Sequence, residues 1–249
     1  MINSETIIYY VISAMAVLLT LTVHEYCHAY AAYKLGDPTA RNLGRMTLNP
    51  IKHIDPIGAL CMIFFHFGWA KPVPINARNL DNPKKDFAIV ALAGPLSNLI
   101  IAFFAVPIHL LIFRLFKDVQ FESEFLLNFV QNILDFFYVL HLINIGIAIF
   151  NLIPIPPLDG SRILNVVLPE KTYFAIMKYE RTIYYVMLGW LLLGDYVVKF
   201  LLSIPLIAVN PILSAVVRIF SLSDILGYVI EFISSLLFNL WQLIPFLNV

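Results

Sequence analysis

The segment His24-Glu25-Tyr26-Cys27-His28 constrains this chain more than any other, because it sits inside an otherwise unbroken apolar run. Ile7 to Leu21 precede it and Ala29 to Tyr33 follow. On a helix, side chains four residues apart share one face, so both imidazoles can reach a single metal ion. A glutamate beside the first histidine is then placed to act as general base on a water held at that ion. Three ionisable groups in such a run are costly to insert, which makes function their default explanation. The plainer alternative is a polar cluster in which the histidines hydrogen-bond across packed helices.

Composition supplies the setting. Of 249 residues, 60% are hydrophobic and only 13% charged, with a formal net charge of zero. A soluble domain of this size needs far more charge to cover its surface. Several apolar stretches reach the roughly 20 residues that cross a bilayer. The chain therefore reads as an all-α polytopic membrane protein with four to six transmembrane helices and no extramembrane domain. No basic run interleaves with aromatics, so a nucleic-acid partner is excluded. Cys27 and Cys61 lack any paired spacing and read as small buried hydrophobes. The N-terminus shows no positively charged n-region, and cleavage after its first apolar run would discard the HEYCH motif. That run is expected to stay in the mature protein.

Three long spans are expected first, at Glu5 to Lys34, Phe87 to Phe116 and Phe125 to Ile153. Ile183 to Leu193, with a continuation to Ile204, and Ile225 to Leu247 are candidates for the rest. Basic residues crowd between the first two spans (Lys34, Arg41, Arg45, Lys52, Lys71, Arg78, Lys84, Lys85) and again after the third. The positive-inside rule puts both segments in the cytoplasm and the N-terminus outside. Ile57 to Phe67 is too short to cross, so a re-entrant segment, possibly β-hairpin-like, is expected in the region 38–84. The first and third spans then run in the same direction, and their ends meet near the cytoplasmic leaflet.

A hydrolytic zinc site usually has three protein ligands and one open position. Asp159 is the leading third candidate, because it follows the proline-broken turn that closes the third span. Its alternative is a helix N-cap opening a helix from Gly160 to Leu168. His53 and His66 are rival ligands, whereas His109 and His141 lie within spans, away from the expected metal depth.

Three segments together carry a family resemblance. HEYCH in the first span, Ala93-Gly94-Pro95-Leu96-Ser97-Asn98 in the second, and the run from Asn151 to Asp159-Gly160 closing the third resemble the site-2 protease family of intramembrane zinc metalloproteases. The resemblance covers the first two-thirds of the chain and is to the compact form, without a PDZ or CBS domain. It implies one Zn²⁺ per chain bound by His24, His28 and Asp159, with Glu25 as catalytic base. It further implies that Asn151 holds the substrate backbone or the developing oxyanion. Asn98, Gly68 and Trp69 are candidate substrate contacts, Asn98 being weighed against plain helix packing. Residues 1–170 would form the catalytic core, and 171–249 a set of C-terminal membrane helices.

The expected partners are a transmembrane protein substrate and the lipid bilayer, and the expected location is a prokaryotic plasma membrane. Two other classes compete. A metal transporter would use the same cluster as a transit site, but such proteins often repeat their architecture and no second copy of the motif occurs here. A silent client-binding scaffold would have no need of Glu25.

Overall fold

The computed structural model describes residues 3–65, 68–218 and 221–248. Its helices are α1 (Ser4–Lys34), α2 (Thr39–Asn42), α3 (Pro56–Phe65), α4 (Pro83–Phe116), α5 (Glu124–Leu152), α6 (Asp159–Val167), α7 (Glu170–Met177), α8 (Glu180–Leu202), α9 (Pro205–Ala208), α10 (Pro211–Arg218) and α11 (Leu222–Gln242). Among the described residues, α1, α4, α5, α8 and α11 are long and apolar enough to cross a membrane, within the expected four to six. Sequence cues mark their ends. Asn3 accepts the Thr6 N–H at the head of α1. Asn82 caps α4, with Pro83 following and the Asn82 N–H donating to the Asp86 carboxylate. Proline-rich Pro154 to Pro157 ends α5, since three of its four residues lack the N–H a helix needs.

Contacts along the long helices fix their directions. Ile12 and Ala16 of α1 pack with Ala105 of α4 and with Val139 and Leu140 of α5. Further along α1, Thr20 accepts the Asn144 amide of α5 at 2.8 Å, and His28 meets the Val90 carbonyl of α4 at 2.7 Å. Rising numbers in α1 thus pair with rising numbers in α5 and falling numbers in α4. α1 and α5 are parallel, with α4 antiparallel to both. α11 runs antiparallel to α5, since Ser234 bonds His141 while Ile230 lies against Gly146.

Parallel α1 and α5 require the chain between α1 and α4 to return to the side it left. α3 does this with ten residues, roughly 15 Å of helix against a hydrocarbon core of about 30 Å. An antiparallel bridge between Ile54 and Ala70 joins the outgoing and returning chain, and the Lys71 N–H donates to the His53 carbonyl at 2.8 Å. Two glycines allow the close return. A Cβ on Gly58 would strike the Trp69 carbonyl, and one on Gly68 the Gly58 carbonyl. The re-entrant segment is a helix and a returning extended stretch joined by this antiparallel bridge, with no strand among the described residues. His66 and Phe67 lie outside the described residues.

Candidate active site

α1 carries His24, Glu25 and His28 on a face that α4 covers, and all three are buried. The close approach depends on Gly94, where a Cβ would run into both imidazole rings. Across the site, the α5–α6 turn delivers Asp159. Gly160 lets that turn fold tightly, because a Cβ there would collide with the Leu152 and Ile153 carbonyl oxygens. Asp159 is the first residue of α6 and Leu158 is its N-cap, so the carboxylate is turned to the histidines instead of capping the helix.

The donor atoms converge on one point. His24 Nε2 and His28 Nε2 stand 3.0 Å apart, and Asp159 Oδ2 lies 3.2 Å from each. Tetrahedral zinc with bonds near 2.0–2.1 Å keeps its ligands roughly 3.3 Å apart, so this set fits the ion. Asp159 Oδ2 is buried with no hydrogen-bond donor of suitable geometry among the described residues, as expected of an oxygen that serves a cation. Among the described residues this is the group of histidine and acidic side chains able to hold a metal.

The outer hydrogen bonds set the ring protonation. Val90's carbonyl can only accept, so His28 Nδ1 carries the proton and Nε2 presents its lone pair. Asn98 is fully buried, with its amide 3.2 Å from His24 Nδ1. Ser97 Oγ reaches both the Gly94 carbonyl at 2.7 Å and the Asn98 amide at 3.5 Å, yet a hydroxyl has one proton. A half-turn of the Asn98 amide satisfies every group. Oδ1 then accepts from His24 Nδ1, Nδ2 donates to Ser97 Oγ, and Ser97 donates to Gly94. His24 Nε2 is thereby left free to serve as a metal ligand too.

Glu25 borders the cavity, and its Oε2 accepts the Val73 N–H at 2.8 Å. Val73 lies between Pro72 and Pro74, so its N–H is the sole backbone donor of that triplet. The extended stretch is fixed at both ends. Lys71's carbonyl accepts from Arg45, and the Asn76 N–H donates to Asp37 at 2.7 Å. Asp37 also accepts from the Thr39 N–H and hydroxyl and from the Asn79 amide. Burial pushes the Asp37 carboxyl up, but these donors outweigh it and hold the group below the usual carboxylate range. Gly36, at φ 101°, makes the turn, and its missing Cβ would meet the Asn79 carbonyl.

A cavity of about 1620 Å³ opens from this cluster and extends between α5, α8 and α11. Asn151, Gly68 and Trp69 line it, and one Asn151 N–H donates to the Ile147 carbonyl. Asn98 is outside the lining and is engaged with His24. His53 lies away from the donor set, bonded to the Thr47 carbonyl, while His109 and His141 bond Leu134 and Ser234. Cys27 and Cys61 are half-buried free thiols. Two neighbours escaped the sequence reading. Val73's contact had one signal, the flanking prolines. Arg162, one turn beyond Asp159, borders the cavity and pairs with Glu180 at 2.5 Å, a contact with no local signal.

Sequence comparison places the chain among known proteins. The profile of Peptidase family M50 matches residues 12–194. The chain is 40% identical to YwhC of Bacillus subtilis over 170 residues, covering 66% of this chain and 75% of YwhC. It is 27% identical to Rip2 of Mycobacterium tuberculosis over 165 residues, 64% of this chain and 58% of Rip2. MJ0392 of Methanocaldococcus jannaschii is 28% identical over 165 residues, 66% of this chain and 36% of that protein. All three relatives bear zinc-metalloprotease names. No solved structure matches at a significant level. With the profile spanning most of the chain and the whole donor set inside it, the chain belongs to peptidase family M50 and is a zinc metalloprotease.

Proposed function

We propose that the protein hydrolyses peptide bonds within or beside transmembrane segments of membrane-protein substrates, using one zinc ion held by His24, His28 and Asp159. The observation that carries this reading is the convergence of that donor set and Glu25 on a cavity walled by helices of membrane-spanning length. Zinc, when bound, supplies a Lewis acid that acidifies water and polarises a carbonyl. Glu25 takes the proton of the attacking water and passes it to the leaving amine. The Val73 N–H holds Oε2, which leaves Oε1 for the proton. Asn151 keeps a second amide N–H for a substrate carbonyl or its developing oxyanion, and Gly68 and Trp69 receive the unwound substrate at the cavity wall. Asn98 acts at one remove, orienting His24.

In this reading residues 1–170 form the catalytic core in a prokaryotic plasma membrane, with the active site toward the cytoplasmic leaflet. The basic residues between α1 and α4 and after α5 support that orientation. The test is cleavage of a panel of single-span membrane proteins by the wild type and Glu25→Gln, with bound zinc measured in both. The expected outcome is a loss of about 10²–10⁴-fold in Glu25→Gln with zinc retained. Equal cleavage by the two proteins would falsify the assignment.

A further inference from the structure

We propose that Glu231, on the polar side of α11, forms a subsite selecting substrates with a basic side chain in the transmembrane segment, close to the bond that is cut. The proposal rests on the proteolytic reading above but concerns a helix beyond the family match, which ends at residue 194. α11 carries a polar stripe beside an apolar one. Glu231, Ser234, Ser235, Asn239 and Gln242 follow three- and four-residue spacing and all line the cavity. Tyr228, Phe232, Leu236 and Leu240, four residues apart, are exposed and outside the lining. The polar stripe of this apolar helix therefore faces the cavity, beside Leu226, Ile230 and Phe238, which also line it.

The charges of the cavity do not balance. Glu25 and Asp159 belong to the metal site, and Arg162 is spent on Glu180. Glu231 stands at mid-length of a 21-residue span and makes no ion pair or side-chain hydrogen bond among the described residues. Glu231 is exposed where it lines the cavity, and an ionisable group at that depth marks a substrate path, so a cation carried by the occupant would be its complement. Size also points to a polypeptide. The cavity of about 1620 Å³ exceeds the roughly 300–1,000 Å³ of a small-molecule site. It has room for on the order of a dozen residues of helix.

Depth places the subsite near the level of the chemistry. Thr20 is level with Asn144, and His24 lies four residues beyond Thr20. Gly146, two residues beyond Asn144, is level with Ile230, the neighbour of Glu231. Glu231 is thus within about one helical turn, ~5 Å, of the depth of His24. A substrate running from the metal centre along α11 meets it within a few residues.

The experiment uses full-length, zinc-loaded protein in detergent and fluorescent transmembrane peptides that differ at one scanned position, bearing Lys, Leu or Glu. Binding is measured in Glu25→Gln, so that it is read apart from cleavage. At one or two positions Lys should bind about tenfold tighter than Leu, and Glu more weakly. Glu231→Gln should erase this ranking, Glu231→Asp keep it and Glu231→Lys invert it. Absence of a Lys preference at every position, or its survival in Glu231→Gln, overturns the subsite. Displacement of all peptides alike by amine-headgroup lipid assigns the carboxylate to lipid, and self-association lost only in Glu231→Gln assigns it to a second copy. Either result also overturns the proposal. If the wild type cleaves all peptides equally, proteolysis stands and the subsite falls. A Glu231-dependent Lys preference in binding, with no peptide cut by protein retaining Glu25, sinks the proteolytic reading instead.

Discussion

Two walls of one cavity are built on opposite rules. On the metal side, α1, α4 and the α5–α6 turn meet through Gly94 and Gly160, each with no room for a methyl group. Ala16, Ala29, Ala32, Val90, Ala102 and Ala148 around it are fully buried. Small residues let helices approach closely where no hydrophobic force drives them together, and hydrogen bonds then lock their register. On the other side, α8 offers Tyr184, Met187, Leu188 and Leu191 to the cavity, and α11 its polar stripe. Gly189 and Gly227 of this layer have open space where a Cβ would go. The metal side fixes atoms to fractions of an ångström, because zinc tolerates little else. In the proposed function the far wall has only to accept a polypeptide.

That contrast breaks most sharply at the glycines. Gly94→Ala should lower zinc occupancy and cut activity on the order of 10²-fold, because displaced rings misplace the whole centre. Metal content and turnover of the purified variant check this. Asn98→Ala removes the partner of His24 without adding bulk, and zinc affinity should weaken by about 10–100-fold in a chelator competition. A step further out, Asp37→Ala strands the donors of Thr39, Asn76 and Asn79, costing about 1–3 kcal/mol of stability. Asp37 also predicts a pH dependence. Its folded pKa is depressed, so its contribution is complete above the ordinary carboxylate value of ~3.9. It is lost as pH falls from there through the folded value, and thermal melts of wild type and Asp37→Ala should converge on acidification. The smallest effect belongs to the far wall. Gly189→Ala meets nothing and improves helix propensity, so it should stabilise by up to ~1 kcal/mol and leave turnover within twofold. A large loss there would mean that the outer wall is as tightly built as the metal side.

Much of the bundle is visible in the chain before any contact is known. The first three long spans are read from the sequence to within a few residues, because a bilayer demands a continuous apolar run and punishes every interruption. Parallel α1 and α5 follow from the shortness of α3, a matter of length alone. The form of that segment was less visible, since a short apolar run suits helix and strand equally. The choice fell to the Gly58–Gly68 approach, a contact between residues ten apart. Asn98 shows a similar limit. Its place in a small-residue motif could signal substrate binding or packing, and only the antiparallel seating of α4 turns it to His24.

By itself the sequence determined that a histidine pair and a glutamate share one face of a membrane helix, since helical spacing allows nothing else. It also determined that the chain must double back before α4, since the short apolar run from Ile57 to Phe67 cannot cross. Tertiary structure alone decided the rest. Asp159 is 135 positions from His24 in the chain, yet its oxygen stands 3.2 Å from both imidazoles. Val73 reaches Glu25, Arg162 is spent on Glu180, and Glu231 is left facing the cavity without a partner among the described residues. Those pairings depend on where whole helices come to rest, and no local pattern encodes a distance between segments that meet only after folding.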